Sequence, residues 1–256
     1  MKWTNELLKT NAKLVLKQHY WIIFGVTLVT GLLAGASAQI GNMMLFPWSA
    51  TFSERLAESP EALYESPGAL FGGALILVIF FAVFLPLTLL VSFFLLNPLL
   101  VGERRFLMET REGRPDANNL LWAFQKGRYT NVVKAMLLLR LRILFWTLLF
   151  FIPGIVKSYE YYYVPWLLAE NPSLDCKSAC QLSKRMTDNE KLDIFFLELS
   201  FLGWILLGML ALCVGSFFVT PYMSATYTEL YLFARARALE NGSAEPEELP
   251  GLAPPL

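Results

Sequence analysis

The sequence predicts an all-α protein, a polytopic membrane helical bundle of six transmembrane helices laid out as three hairpins with cytoplasmic amphipathic helices. Three observations predict it. Of the 256 residues 55% are hydrophobic and 16% charged, with a mean hydropathy of +0.47, which excludes disorder and is foreign to ordinary soluble enzymes. The apolar residues are gathered into long blocks, and a bilayer span needs roughly 20 of them. Proline and glycine pairs fall between or inside the blocks, where a hairpin needs its turns.

The first span is Tyr20 to Ile40, YWIIFGVTLVTGLLAGASAQI, which has no charge and opens on an interfacial Tyr-Trp pair. Gly31 and Gly35 form a GxxxG that would admit a close neighbour. Ahead of it Trp3, Leu7, Leu8 and Val15 recur at helical spacing among Lys9, Lys13 and Lys17, the pattern of a helix lying in the interface. The same stretch, ending in Ala36, Ser37 and Ala38, also has the outline of a secretory signal cleaved after Ala38. Its 19-residue lead is long for that role.

The second block, Gly68 to Gly102, has no charged residue and at roughly 1.5 Å per residue is too long to stand upright in a bilayer. Pro86 is the expected kink and Asn97-Pro98 the expected inner end. Residues 42 to 67 form an external loop with one short helix near Phe52 to Glu58. The third block, Ala135 to Ile152, ends at Pro153-Gly154, a strong turn signal. The fourth runs from Ile155 to Ala169, the fifth from Ile194 to about Gly215 and the sixth from Phe217 to about Ala234.

Orientation follows from Lys and Arg in the flanks. Residues 1–19 carry four, 102–134 seven, 170–193 four and 235–256 two, seventeen in all on one side, against Arg55 alone in the first opposite loop. Both termini are therefore expected in the cytoplasm. The three cytoplasmic stretches 3–18, 118–131 and 175–187 each precede a hairpin, and each returning helix carries a proline, Pro98, Pro165 or Pro221. This is the outline of a threefold pseudo-repeat. Residues 1–237 form the membrane domain, and the Pro-rich acidic segment 238–256 reads as a disordered tail.

The chemistry is sparse. Lys plus Arg and Asp plus Glu are 21 each, so no basic surface points to nucleic acid. The single histidine, His19, cannot build HExxH or a His-based triad and suits interfacial packing. No phosphate-cradling glycine motif occurs. Cys176, Cys180 and Cys213 lack further ligands and read as reduced structural thiols. No cofactor, metal or catalytic residue is expected.

The informative residues are ionisable groups in or beside apolar blocks: Arg140, Arg142, Lys157, Glu160, Glu198 and Glu229. A mid-membrane charge costs roughly 2.5 to 3.5 kcal/mol on insertion scales, so such groups pair, snorkel or face water. Lys157 and Glu160, three apart, share a helix face and are expected to pair.

Several ordered strings are familiar: NPLLVGERRF at 97–106, IPGIVKSYEYYYVPWLLAENP at 152–172, SKRM at 183–186, LSFLGWILLG at 199–208 and TPYMSATYTELY at 220–231. They resemble a bacterial integral-membrane family, the domain of unknown function 975, over nearly the whole chain except the acidic tail. The resemblance implies a multi-pass protein, mostly of Gram-positive bacteria, with no agreed activity or cofactor, and it favours keeping the first helix. It singles out Asn97, Pro98, Gly102, Arg105, Pro153, Gly154, Pro165, Asn171, Pro172, Gly203, Trp204, Pro221 and Tyr222 as family-motif residues. Three consecutive tyrosines, Tyr161 to Tyr163, depart from the smaller or mixed residues expected there.

Two functions compete. One is a non-enzymatic protein acting through membrane lipids, another membrane protein or a second copy of itself, in envelope maintenance or protection. The other is a small carrier or channel lined by the Arg, Lys and Glu groups with tyrosine hydroxyls. An intramembrane enzyme lacks a nucleophile and base.

Overall fold

A computed structural model describes residues 3–58, 75, 78–79, 82–83, 86–88, 90–210 and 214–252, with backbone alone for 36–58, 209–210, 214 and 216. Among the described residues every regular element is helical. Helix α1 runs Asn5–Glu58, α2 Asn97–Arg111, α3 Tyr129–Leu149, α4 Phe151–Glu160 and α5 Val164–Glu170. These are followed by α6 Cys176–Met186, α7 Lys191–Leu199, α8 Leu202–Leu210 and α9 Val214–Glu240. A π-turn, Ser92–Leu96, leads into α2, and a 3-10 helix, Ala117–Phe124, follows it. Two compact units result, residues 1–31 with 97–256, and residues 32–96.

Two helices, Asn5–Gly35 and Pro86–Arg111, are long and apolar enough to cross a membrane. Of the other limbs expected as spans, α3 and α9 have 21 and 27 residues, and α4, α5, α7 and α8 only 7 to 10 each. Within α1 the backbone leaves helical geometry at His19, φ −130° and ψ 26°, which divides the amphipathic start from the apolar stretch where the charge pattern changes. Beyond Ile40 the helix does not stop as expected but continues to Glu58. A Cβ on Gly31 or Gly35 would meet nothing within 4 Å, so the GxxxG packs against no described neighbour.

Asn97-Pro98 does not end its helix either. A proline ring clashes with the carbonyl four residues earlier, here that of Phe94, and Phe94 lies in the π-turn whose wider winding relieves that clash. Pro165 sits in the first turn of α5, where a missing N–H leaves nothing unsatisfied. Pro221 lies inside α9 without breaking it. Four residues after each of these prolines comes a small buried residue, Gly102, Ala169 or Ala225.

Hairpin α3–α4 turns at Phe150, whose backbone is extended, and not at Pro153-Gly154. That pair lies in the first turn of α4, and Gly154 is required by a close approach. A Cβ there would stand 2.6 Å from Thr147 Cα. The antiparallel register is fixed further down by Lys157 Nζ over the Trp146 ring at 5.5 Å and Arg142 over Tyr161 at 5.9 Å.

Each of the three amphipathic segments packs on a helix or loop that belongs to another part of the chain. The start of α1 sits on the third hairpin, with Lys9 Nζ donating to Ser200 Oγ at 2.8 Å and lying over Phe201 at 4.7 Å. The 3-10 helix sits on α2, where a Cβ on Gly102 would collide with the Leu120 carbonyl. Helix α6 sits on the second hairpin, Ser183 Oγ donating to Glu160 O at 2.8 Å and accepting from Tyr163 N at 3.1 Å. The core between them is aromatic, with Tyr162 stacked on Trp166 at 5.6 Å and Trp166 on Tyr231 at 6.2 Å. Tyr162 and Tyr163 serve this core, which accounts for two of the three consecutive tyrosines.

Residues 238–252 differ from the expected disordered tail. Ala244 and Leu249 are buried, Arg185 pairs with Glu248 at 2.7 Å, and Arg235 Nη2 donates to Leu249 O at 3.1 Å. The composition is that of a disordered segment, but a few apolar anchors and backbone partners on α5 and α9 hold it down. Residues 253–256 lie outside the described residues, as does Cys213.

Candidate functional site

The six ionisable residues expected to share a polar cluster fall into separate groups. Glu160, 5% exposed at the end of α4, accepts from Lys157 Nζ at 2.6 Å and from Lys191 Nζ at 2.8 Å. The expected i,i+3 pair is present, and the first residue of α7 makes it a three-group cluster. Glu198 accepts from the Tyr159 hydroxyl at 2.7 Å. Glu229 pairs with Arg111 of α2 and accepts from Asn11 Nδ2 of α1 at 3.3 Å. Arg140 is exposed on α3, and Arg142 lies against Tyr161. These groups have different partners on different helices.

The most elaborate polar site was not expected from the sequence. Glu170, at the end of α5 and 5% exposed, accepts from Arg235 Nε through both carboxylate oxygens at 2.9 and 3.0 Å. It also accepts from the Tyr231 hydroxyl at 2.6 Å and from Gly251 N at 2.8 Å. Desolvating a carboxylate is costly unless its lone pairs are met, and here four contacts meet them. Asn171 Nδ2 follows at once, donating towards the carbonyls of Glu247 and Glu248 at 3.4 and 3.3 Å. The only hint in the sequence was the string AENP, because the partners lie 61 to 81 residues away.

A second buried set surrounds α2. Arg105 pairs with Glu109 at 2.9 Å, donates to Ala169 O at 3.0 Å and lies over the Trp122 ring at 4.3 Å. Arg128 approaches the same ring at 4.6 Å. Glu109 also accepts from Asn119, while Glu103 is held by Arg104 at 3.4 Å and by Ser224 Oγ at 3.3 Å. Arg237, on α9, joins Glu190 and donates to Met186 O at 2.8 Å.

Cys176 and Cys180, one turn apart on α6, are buried and unbridged, their Sγ atoms 3.8 Å apart. Cys180 as hydrogen-bond donor, helped by nearby Arg142, lowers the Cys176 thiol to about 7, and the same bond with burial pushes Cys180 far up. Asp175 caps α6 by accepting from Ser178 N at 3.1 Å, and that bonding depresses its carboxyl. Among the described residues no three His, Cys, Asp or Glu side chains converge as a metal site.

The motif residues divide by role. Gly102, Arg105, Gly154 and Asn171 make the close approaches and polar contacts just described. Pro172 O and Leu174 O accept from Asn131 Nδ2 at 2.7 and 2.8 Å, which ties the α5–α6 loop to α3. Tyr222 packs edge-on against Phe201 at 5.4 Å. Gly203 has open space around it and Trp204 is exposed, so neither supports a polar site.

A family model described as "Protein of unknown function (DUF975)" matches residues 71–238. The chain belongs to this family. The match takes in Glu103, Glu109, Glu160, Glu170 and Glu229 with their basic partners Arg104, Arg105, Lys157, Lys191, Arg235 and Arg111. It leaves residues 1–70, the first expected span included, and residues 239–256 outside the DUF975 segment, so it is narrower than the resemblance suggested. No curated protein and no solved structure matches the chain.

Proposed function

We propose that this DUF975 protein is a non-enzymatic, multi-pass integral protein of the bacterial plasma membrane. In this reading both termini are cytoplasmic, and it acts by contacting lipids or another membrane protein in envelope maintenance or protection. The observation that carries the reading is the apolar tip of hairpin α3–α4, where Leu148 is 84%, Phe150 64%, Phe151 71% and Ile152 74% exposed. Soluble monomers rarely leave a contiguous apolar patch of this kind in water. Exposed Trp204, Leu206, Leu207 and Phe218 on the third hairpin support the same reading.

Six limbs of three hairpins enter the bilayer from the cytoplasmic side. Asn5–Gly35 and Pro86–Arg111 are long enough to cross it. Helix α4, with 10 residues, rises about 15 Å against a core of about 30 Å, so the second hairpin ends within the bilayer. The charge-paired body around Glu160, Glu170 and Glu229 then remains at the cytoplasmic face.

Alkaline carbonate extraction of membranes from expressing cells tests the reading. The protein is expected in the pellet and in the detergent-rich phase after phase separation. A monodisperse, detergent-free monomer in the carbonate supernatant would overturn it.

A further inference from the structure

Beside α3 runs a groove of about 510 Å³ whose other wall is the start of α6. Along α3 it presents Lys134, Leu138, Leu141 and Phe145, spaced i, i+4, i+7 and i+11 and therefore on one face. The three apolar side chains are 43%, 48% and 62% exposed. Lys177 of α6 closes the polar end, while Arg142, two turns further along α3, borders the groove and lies over the Tyr161 ring. One carboxylate, Asp175, is also in the wall, but it caps α6. Arg142 faces the Cys176 thiol, so two lysines against one capping carboxylate leave the mouth positive.

We propose that this groove binds one anionic phospholipid of the bilayer, with its phosphate at Lys134 and Lys177 and an acyl chain along Leu138, Leu141 and Phe145. The inference rests on the membrane reading above. Lys134 to Phe145 spans about 16 Å along the helix, close to the roughly 15 Å depth of one leaflet's hydrocarbon. A soluble anion would leave the apolar stripe uncovered, and a zwitterionic headgroup would bring an ammonium into a cationic mouth. Both lysines lie in segments counted as cytoplasmic, where anionic lipid gives basic residues their membrane affinity.

Native mass spectrometry of the full chain, purified from carbonate-washed membranes and exposed to phosphatidylglycerol or phosphatidylcholine, tests it. Wild type is expected to retain one phosphatidylglycerol per chain and to release phosphatidylcholine, with excess inorganic phosphate failing to displace the lipid. The double variant Lys134→Glu/Lys177→Glu should lose phosphatidylglycerol affinity by about tenfold or more, and Lys184→Glu, on an exposed part of α6, should not. Melting temperature of both variants reports the fold independently. Equal retention of the two lipids, displacement by inorganic phosphate, or undiminished binding by the folded double variant would overturn the proposal while leaving a carbonate-resistant protein in the membrane. Release by carbonate would overturn the membrane reading and the lipid site together.

Discussion

Glu170 and Arg235, 65 residues apart, meet through both carboxylate oxygens of the glutamate and one guanidinium nitrogen, at 2.9 and 3.0 Å. Around this pair the end of the chain is fastened, because Gly251 N donates to the same carboxylate and Leu249 O accepts from the same arginine.

Replacing Glu170 by Gln is expected to lower stability by about 2 to 3 kcal/mol, since it strands a partly buried guanidinium. The same change should expose residues 241–252 to protease. Limited proteolysis followed by mass spectrometry checks this, and a tail equally resistant in the variant would show that Glu170 does not hold it.

Glu160 serves two lysines, so the single and the double changes differ. Lys157→Ala or Lys191→Ala alone leaves one counter-charge and should cost about 1 kcal/mol, as for a partly exposed pair. The double change Lys157→Ala/Lys191→Ala isolates a buried carboxylate and should cost about 3 kcal/mol or more, well beyond the sum. Thermal melting in detergent measures it; strict additivity would mean that the carboxylate reaches water.

Gly102→Ala should be among the most damaging small changes. The added methyl meets the Leu120 carbonyl, a backbone atom that cannot rotate aside, and overpacking of this kind costs about 1 to 3 kcal/mol. The 3-10 helix should detach first, read as faster hydrogen exchange at 117–124. Gly203→Ala, in open space, is the matched control and should be near neutral.

The Cys176 thiol titrates near 7, against an ordinary value of 9.0. Its thiolate therefore contributes stability gained as pH rises from 7 to 9, and the opposite shift of Cys180 takes that stability back above 9. Alkylation of Cys176 by iodoacetamide should rise with a midpoint near 7 in wild type and at clearly higher pH in Cys180→Ala, which lacks the donor. An unchanged midpoint would leave the thiol pair without influence.

If both termini are cytoplasmic, a cysteine at Ser243 should resist an impermeant maleimide in intact cells and react after permeabilisation. Labelling of intact cells would reverse the orientation drawn from the basic residues.

How much of this could be read beforehand depended on the range of each interaction. The amphipathic start of α1, the division at His19 and the Lys157–Glu160 pair are local, set by side chains within a turn or two. Pro153-Gly154 misled because its chemistry suits a turn and equally the first turn of a helix, and only the contact with Thr147 decides between them. Glu170 was invisible for the opposite reason. Its partners come from distant segments, and nothing in AENP announces an arginine 65 residues on. The tail was misread from composition, which counts apolar residues but does not see that Ala244 and Leu249 have places waiting.

The seating of the first amphipathic segment on the third hairpin sets an order of assembly. Lys9 finds Ser200 and Asn11 finds Glu229 across separations of 191 and 218 residues. At ribosomal rates of about 5 to 20 residues per second the first segment waits on the order of 10 to 40 seconds for its seat to be synthesised. Through that interval it must be sheltered by something else. The last hairpin to emerge is therefore the one whose insertion locks the first residues in place, and a chain stalled before Ser200 would present its beginning, not its end, to the cell's quality control.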